Sequence, residues 1–128
     1  MEGDDNDEWP ITTFYKLILD QPRLDLQQLE LPKIFMNAYG NDLSDTISLI
    51  LPPNKVWKFD LVRQNNKAFL QNDWPNFVEF YSLSHGHLLV FKYRGNSCFN
   101  VVIFDMSASE IDYPCHHETS RSQNQKVM

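Results

Sequence analysis

The pattern of this chain predicts a mainly β fold, a closed or nearly closed antiparallel barrel that carries two small helices. Three observations lead there. Apolar and polar residues alternate in several short runs, most cleanly where Trp57, Phe59 and Leu61 point one way and Lys58 and Asp60 the other. Turn-forming groups separate the runs, at Pro52-Pro53-Asn54, His85-Gly86-His87 and Gly95-Asn96. Helical spacing is confined to two short stretches. Many short strands with so little helix are best accommodated by a barrel, which leaves few free edges.

Taken in order, Thr12 to Leu19 is β-branched and aromatic and forms a first strand, which Pro22 stops. Arg23 to Glu30 is a polar connection punctuated by leucines. Leu31 to Gly40 reads as a short helix, with Pro32 near its start, Gly40 at its end, and Leu31, Phe35 and Ala38 on one face. Thr46 to Leu51 alternates as a strand, and the strand Val56 to Leu61 follows the proline turn. A connector, Val62 to Lys67, leads to the strand Ala68 to Leu70. Asn72 or Asp73 caps a second helix with Pro75 in its first turn, and Trp74, Phe77, Val78 and Tyr81 give it one core-facing stripe. Leu88 to Arg94 and Cys98 to Asp105 form a hairpin, and Glu110 to Tyr113 a last short strand.

A length of 128 residues suits one domain with one core. The apolar fraction of 42%, with nine Phe, five Tyr and three Trp, supplies that core. The folded body is expected from residue 9 to 113, between an acidic tail at 1–8 and a polar tail at 114–128 that has too little apolar content to offset the entropy of ordering. No internal repeat is visible. No window reaches the roughly 18 to 20 apolar residues of a membrane span, and the acidic start lacks the apolar core of a signal peptide, so an intracellular protein is expected. Cys98 and Cys115 make no disulfide framework; they fit a reducing compartment, one as a small core residue and one in the tail.

Net charge is −6, but Glu2, Asp4, Asp5, Asp7 and Glu8 supply five of those charges. Between Lys55 and Lys67 the sign reverses, with Lys55, Lys58, Arg63 and Lys67 against Asp60 alone. Local sign governs what a patch attracts, because charges are screened beyond about 8 Å at physiological salt. The connector Val62-Arg63-Gln64-Asn65-Asn66-Lys67 is thus polar, amide-rich and cationic, a composition suited to contact outside the protein.

Catalysis finds little support. His85, His87, His116 and His117 are spaced without a nucleophile or an orienting partner, and His85-Gly86-His87 lacks the third and fourth ligands of a zinc site unless Cys98 or the tail joins them. The four glycines form no phosphate-binding loop, and Ser107 and Ser109 beside Glu110 read as a turn. No enzyme, metal or cofactor is expected.

Six segments in order resemble the plant B3 DNA-binding domain over about residues 9 to 113. They are Phe14-Tyr15-Lys16, Leu31-Pro32, Leu51 to Trp57, Asp73-Trp74-Pro75-Asn76-Phe77-Val78, Gly86 to Tyr93 and Asn100 to Asp105. Gly95 to Phe99 and Ser109 to Tyr113 are closest to its reproductive-meristem (REM) subgroup, which includes the vernalization-type proteins. The resemblance implies a seven-stranded open pseudo-barrel with two short α-helices that grips the DNA major groove with two arms, at about Leu19 to Glu30 and at Val62 to Lys67. Carried over by position, the DNA-binding residues are Arg63, Gln64, Asn65, Asn66 and Lys67 in the second arm, Lys16, Gln21 and Arg23 at the first, Lys33 at the helix start, and Gln71 or Asn72 near the second helix. These are the side-chain types that pair with base edges and phosphates. Asp20 and Asp25 flank Arg23, and Leu19, Leu24 and Leu26 make the first arm apolar, so weak or modestly selective binding to double-stranded DNA is expected. The resemblance also implies transcriptional regulation in the nucleus. The rival reading is a protein-interaction module in a transcription or chromatin complex, with little DNA affinity of its own.

Overall fold

A computed structural model describes residues 12–19 and 26–114. The tails expected at 1–8 and 114–128, apart from Pro114, lie outside the described residues, as do Cys115, Gln21 and Arg23. Seven strands form one sheet: β1 (Thr13–Leu17), β2 (Leu29–Glu30), β3 (Thr46–Leu51), β4 (Lys55–Gln64), β5 (Lys67–Gln71), β6 (Leu88–Gly95) and β7 (Cys98–Phe104). Their order across the sheet is β1-β6-β7-β3-β4-β5-β2. Because β1 and β2 end the series without pairing to each other, the sheet curls into an open pseudo-barrel and does not close. All neighbours are antiparallel except β3 and β7, which run parallel. The expectation of a purely antiparallel barrel is corrected at that seam.

Period-two alternation puts one face of nearly every strand inside. Phe14, Ile47, Leu49, Leu51, Phe59, Leu61, Ala68, Leu70, Leu89, Phe91, Tyr93, Phe99, Val101 and Ile103 are all buried. Two helices complete the interior: α1 (Lys33–Tyr39), continued by a 3-10 turn at Gly40–Asp42, and α2 (Trp74–Phe80). Phe35 of α1 packs its ring 5.2 Å from Phe14, 5.4 Å from Tyr93 and 5.4 Å from Phe99. Phe77 of α2 does the same against Trp57 at 5.2 Å and Phe59 at 5.6 Å. Burying each such ring stabilises the fold by about 1.5–3 kcal/mol, with a further ~0.5–1.5 kcal/mol for well-oriented aromatic pairs.

Several elements differ from their sequence reading. The polar connection contains a two-residue strand, β2, held to β5 by the pairs Leu29↔Leu70 and Glu30↔Phe69. Ala38 is exposed; the inward stripe of α1 runs Leu31, Phe35, Tyr39 at spacings of four, and the Phe35 and Tyr39 rings lie 5.1 Å apart. Cys98 opens β7 on its outer side and is half-buried, outside the core. The last strand reduces to a single bridge, Phe104↔Glu110. Beyond it the Tyr113 hydroxyl, not a backbone carbonyl, accepts the Ile103 N–H at 2.8 Å and itself donates to Glu110 at 2.6 Å. Burial, and then that donation to a carboxylate, push the Tyr113 phenol far above its ordinary value.

Candidate nucleic-acid interface

The connector is tighter than its sequence suggests. Val62, Arg63 and Gln64 belong to β4 and Lys67 to β5, so the turn itself is only Asn65-Asn66. Both have positive φ, 51° and 65°, the conformation of a two-residue type I′ hairpin, which Asn tolerates better than other residues with a side chain. Ladder pairing continues up to Arg63↔Ala68 and Gln64↔Lys67, so a regular ribbon supports the tip. A two-stranded ribbon of this kind is narrow enough for the major groove, about 12 Å wide.

Between this hairpin and α1 lies a concavity of about 330 Å³. It is lined by Lys33, Arg63, Gln64, Asn65, Asn66 and Lys67, together with Glu30, Leu31, Met36, Gly40, Asn41 and Ala68. Six of the residues predicted from sequence therefore meet at one place, three of them cations, against the single carboxylate of Glu30. Lys33 and Lys67 are exposed, and the side chain of neither has an ion-pair or hydrogen-bond partner among the described residues. Arg63 is different. Its Nη2 donates to the carbonyl oxygens of Gly40 at 2.9 Å and Leu43 at 3.3 Å, and its Nη1 lies 3.7 Å from an Asp45 carboxylate oxygen.

The remaining predicted residues stand elsewhere. Lys16 is half-buried on β1 opposite Leu89 and does not line the concavity. Gln71 donates its amide to Gln28 at 2.5 Å, which ties the approach of β2 to the end of β5. Asn72, at φ 74°, donates its amide to the carboxylate of Asp60. The partners of Arg63 were not anticipated from sequence. A signal existed: continuing the alternation Trp57, Phe59, Leu61 by one step places Arg63 on the core-facing side of β4.

A second concavity, about 720 Å³, lies on the outer sheet face against Tyr15, Leu17, Leu88, Val90, Val102, Phe104 and Met106. It is apolar and has no cation in its lining, so it lacks the chemistry for a polyanion. Among the described residues no three His, Cys, Asp or Glu side chains are grouped to hold a metal ion, and no helix is long and apolar enough to cross a membrane.

The family model of the B3 DNA binding domain matches residues 14–107. The chain belongs to the B3 family. Among the curated proteins it is 38% identical over 104 residues to the B3 domain-containing transcription factor VRN1 of Arabidopsis thaliana, covering 81% of this chain and 30% of that one. It is 34% identical over 107 residues to another B3 domain-containing protein of the same plant, covering 84% and 56%. The chain thus spans from under a third to just over half the length of these relatives, and the match to VRN1 agrees with the vernalization-type subgroup. The solved structure of a hypothetical Arabidopsis thaliana protein superposes with a TM-score of 0.64 at 26% identity, over 73% of this chain and 89% of the other. The B3 pseudo-barrel is therefore the fold of this chain.

Proposed function

We propose that this B3 domain binds double-stranded DNA by laying the β4–β5 hairpin into the major groove, and that it does so within a plant transcription factor acting in the nucleus. The observation that carries this reading is the convergence of Lys33, Gln64, Asn65, Asn66 and Lys67 around one concavity on a chain of a DNA-binding family. Phosphates positioned by Lys33 and Lys67 would set the register, and the amides of Gln64, Asn65 and Asn66 would meet base edges. With two cations unpaired among the described residues and a nearby Glu30, the electrostatic contribution is modest and so is the expected selectivity. The folded unit on this reading is residues 9 to 113. The rival role, a module that contacts protein alone, would have to use the apolar outer face, and the family match favours DNA.

Fluorescence anisotropy against a randomised duplex pool across a salt series tests the proposal. Binding should weaken with salt, with a modest slope. The double substitution Lys33→Ala, Lys67→Ala should reduce affinity by roughly 30-fold at physiological salt and lower the log–log salt slope by about two. A folded protein that fails to bind even at low salt would overturn the DNA reading.

A further inference from the structure

We infer that Arg63 is a positioning residue: its guanidinium fastens the β4–β5 hairpin to the turn after α1 and so sets how Lys33 and Lys67 face each other across the concavity. This rests on the DNA reading and departs from what the residue type suggests. An exposed arginine on a DNA-facing hairpin would ordinarily be assigned to a phosphate or a guanine.

The geometry assigns it differently. Arg63 follows Trp57, Phe59 and Leu61 on the inward face of β4 and is paired across the ladder with Ala68, a small buried residue. Its fork reaches over the rim to Gly40 O at 2.9 Å and Leu43 O at 3.3 Å, with Asp45 alongside at 3.7 Å. Gly40 and Leu43 lie in and directly after the 3-10 turn that ends α1; the Gly40 carbonyl already accepts the Leu43 N–H at 3.3 Å, and Arg63 adds a second donor to it. Nη2 alone donates to both carbonyls while Nη1 faces Asp45, a division between two nitrogens that a lysine ammonium lacks. Lys33 rides on α1 and Lys67 on the hairpin, so the Arg63 contacts join the two walls that carry these exposed cations. Turning Arg63 toward a phosphate would break all three contacts and release the wall that holds Lys33.

The salt series separates the roles, because a phosphate contact contributes to the slope and a positioning contact does not. Lys67→Ala should lower the magnitude of the slope by about one. Arg63→Ala should weaken binding about three- to tenfold with the slope unchanged, in a protein whose circular dichroism matches the parent. In wild-type 15N-labelled protein the Arg63 guanidinium signals should keep their free-state positions when the duplex pool is added, while the Lys33 and Lys67 ammonium signals move. This second measurement decides the matter if Arg63→Ala does not fold. A slope lowered by about one in Arg63→Ala, unchanged affinity in that variant, or a shift of the guanidinium signals on adding duplex would each overturn the inference and leave the DNA reading standing. Absence of binding by the wild-type protein would instead overturn the DNA reading itself.

Discussion

Two hairpins in this molecule turn in the same way and end in opposite places. The β4–β5 turn is Asn65-Asn66, with φ of 51° and 65°; the β6–β7 turn is Asn96-Ser97, with φ of 55° and 59°. Backbone conformation therefore does not distinguish them. The second turn is drawn into the fold. Ser97 is 6% exposed, its Oγ accepts the Ser44 N–H at 2.8 Å, its carbonyl accepts the Ser48 N–H at 2.9 Å, and its own N–H donates to the Tyr93 hydroxyl at 3.2 Å. Those bonds lie at the start of the β3–β7 seam, the one parallel join in the sheet. The first turn has no such anchorage among the described residues. Its residues are exposed, and Arg63, two positions before Asn65, reaches across to the turn after α1. A serine hydroxyl is small enough to be buried and satisfied, whereas two successive asparagine amides need more donors and acceptors than this core supplies. One tip serves folding, and the other is left open for contact.

Two residues close behind the turns, Phe99 in second place after one and Lys67 in first place after the other, mark the extremes. Phe99 of β7 is fully buried, with ring centroids 4.9 Å from Tyr93, 5.4 Å from Phe35 and 5.8 Å from Phe91, whereas Lys67 of β5 is exposed. Phe99→Ala should cost about 3–5 kcal/mol of stability by leaving a cavity among those rings. Lys67→Ala should change stability by no more than about 0.5 kcal/mol. Urea denaturation measures both. A large stability loss in Lys67→Ala would mean that the β4–β5 hairpin, too, is held by its own packing, and the division between the tips would fail.

Much of this contrast could be read from the chain before any coordinates. Strand alternation at Trp57, Phe59 and Leu61, the stripe Trp74, Phe77, Tyr81, and the polar run from Arg63 to Lys67 are local patterns, and local patterns survive folding. Apart from the facing of Ala38 and Cys98, the differences involve relations between residues apart in sequence. The two-residue β2 has no periodicity of its own and exists because β5 pairs with it. Tyr113 satisfies Ile103 through a side chain, which no strand propensity encodes. The engagement of Arg63 with Gly40 and Leu43 spans 23 and 20 residues of sequence, so composition could mark Arg63 as a cation but not as one already occupied.

At the buried tip, Ser97→Ala removes the acceptor for the Ser44 N–H while keeping the Cβ and the backbone conformation. The expected loss is about 1–2 kcal/mol of stability. DNA affinity per folded molecule should be unchanged, because neither Ser97 nor Ser44 lines the cationic concavity. Anisotropy on the folded variant, beside its denaturation curve, checks both halves. Reduced affinity at full folding would show that the two tips are coupled through β3 and β4.

The smallest effect is the most discriminating. Asn66 stands at φ 65° in the second position of a type I′ turn, where Gly after Asn is the favoured choice. Asn66→Gly should therefore hold or raise stability, by about 0.3 kcal/mol, since it relieves the left-handed conformation at some cost in unfolded-state entropy. The same substitution deletes an amide at the rim of the concavity and should weaken DNA binding about threefold. Stability and affinity would then move in opposite directions. That outcome would mean Asn66 is retained for contact against a residue that turns the chain better. If stability rises and affinity does not change, Asn66 is a turn former only, and the readout at the tip narrows to Gln64 and Asn65.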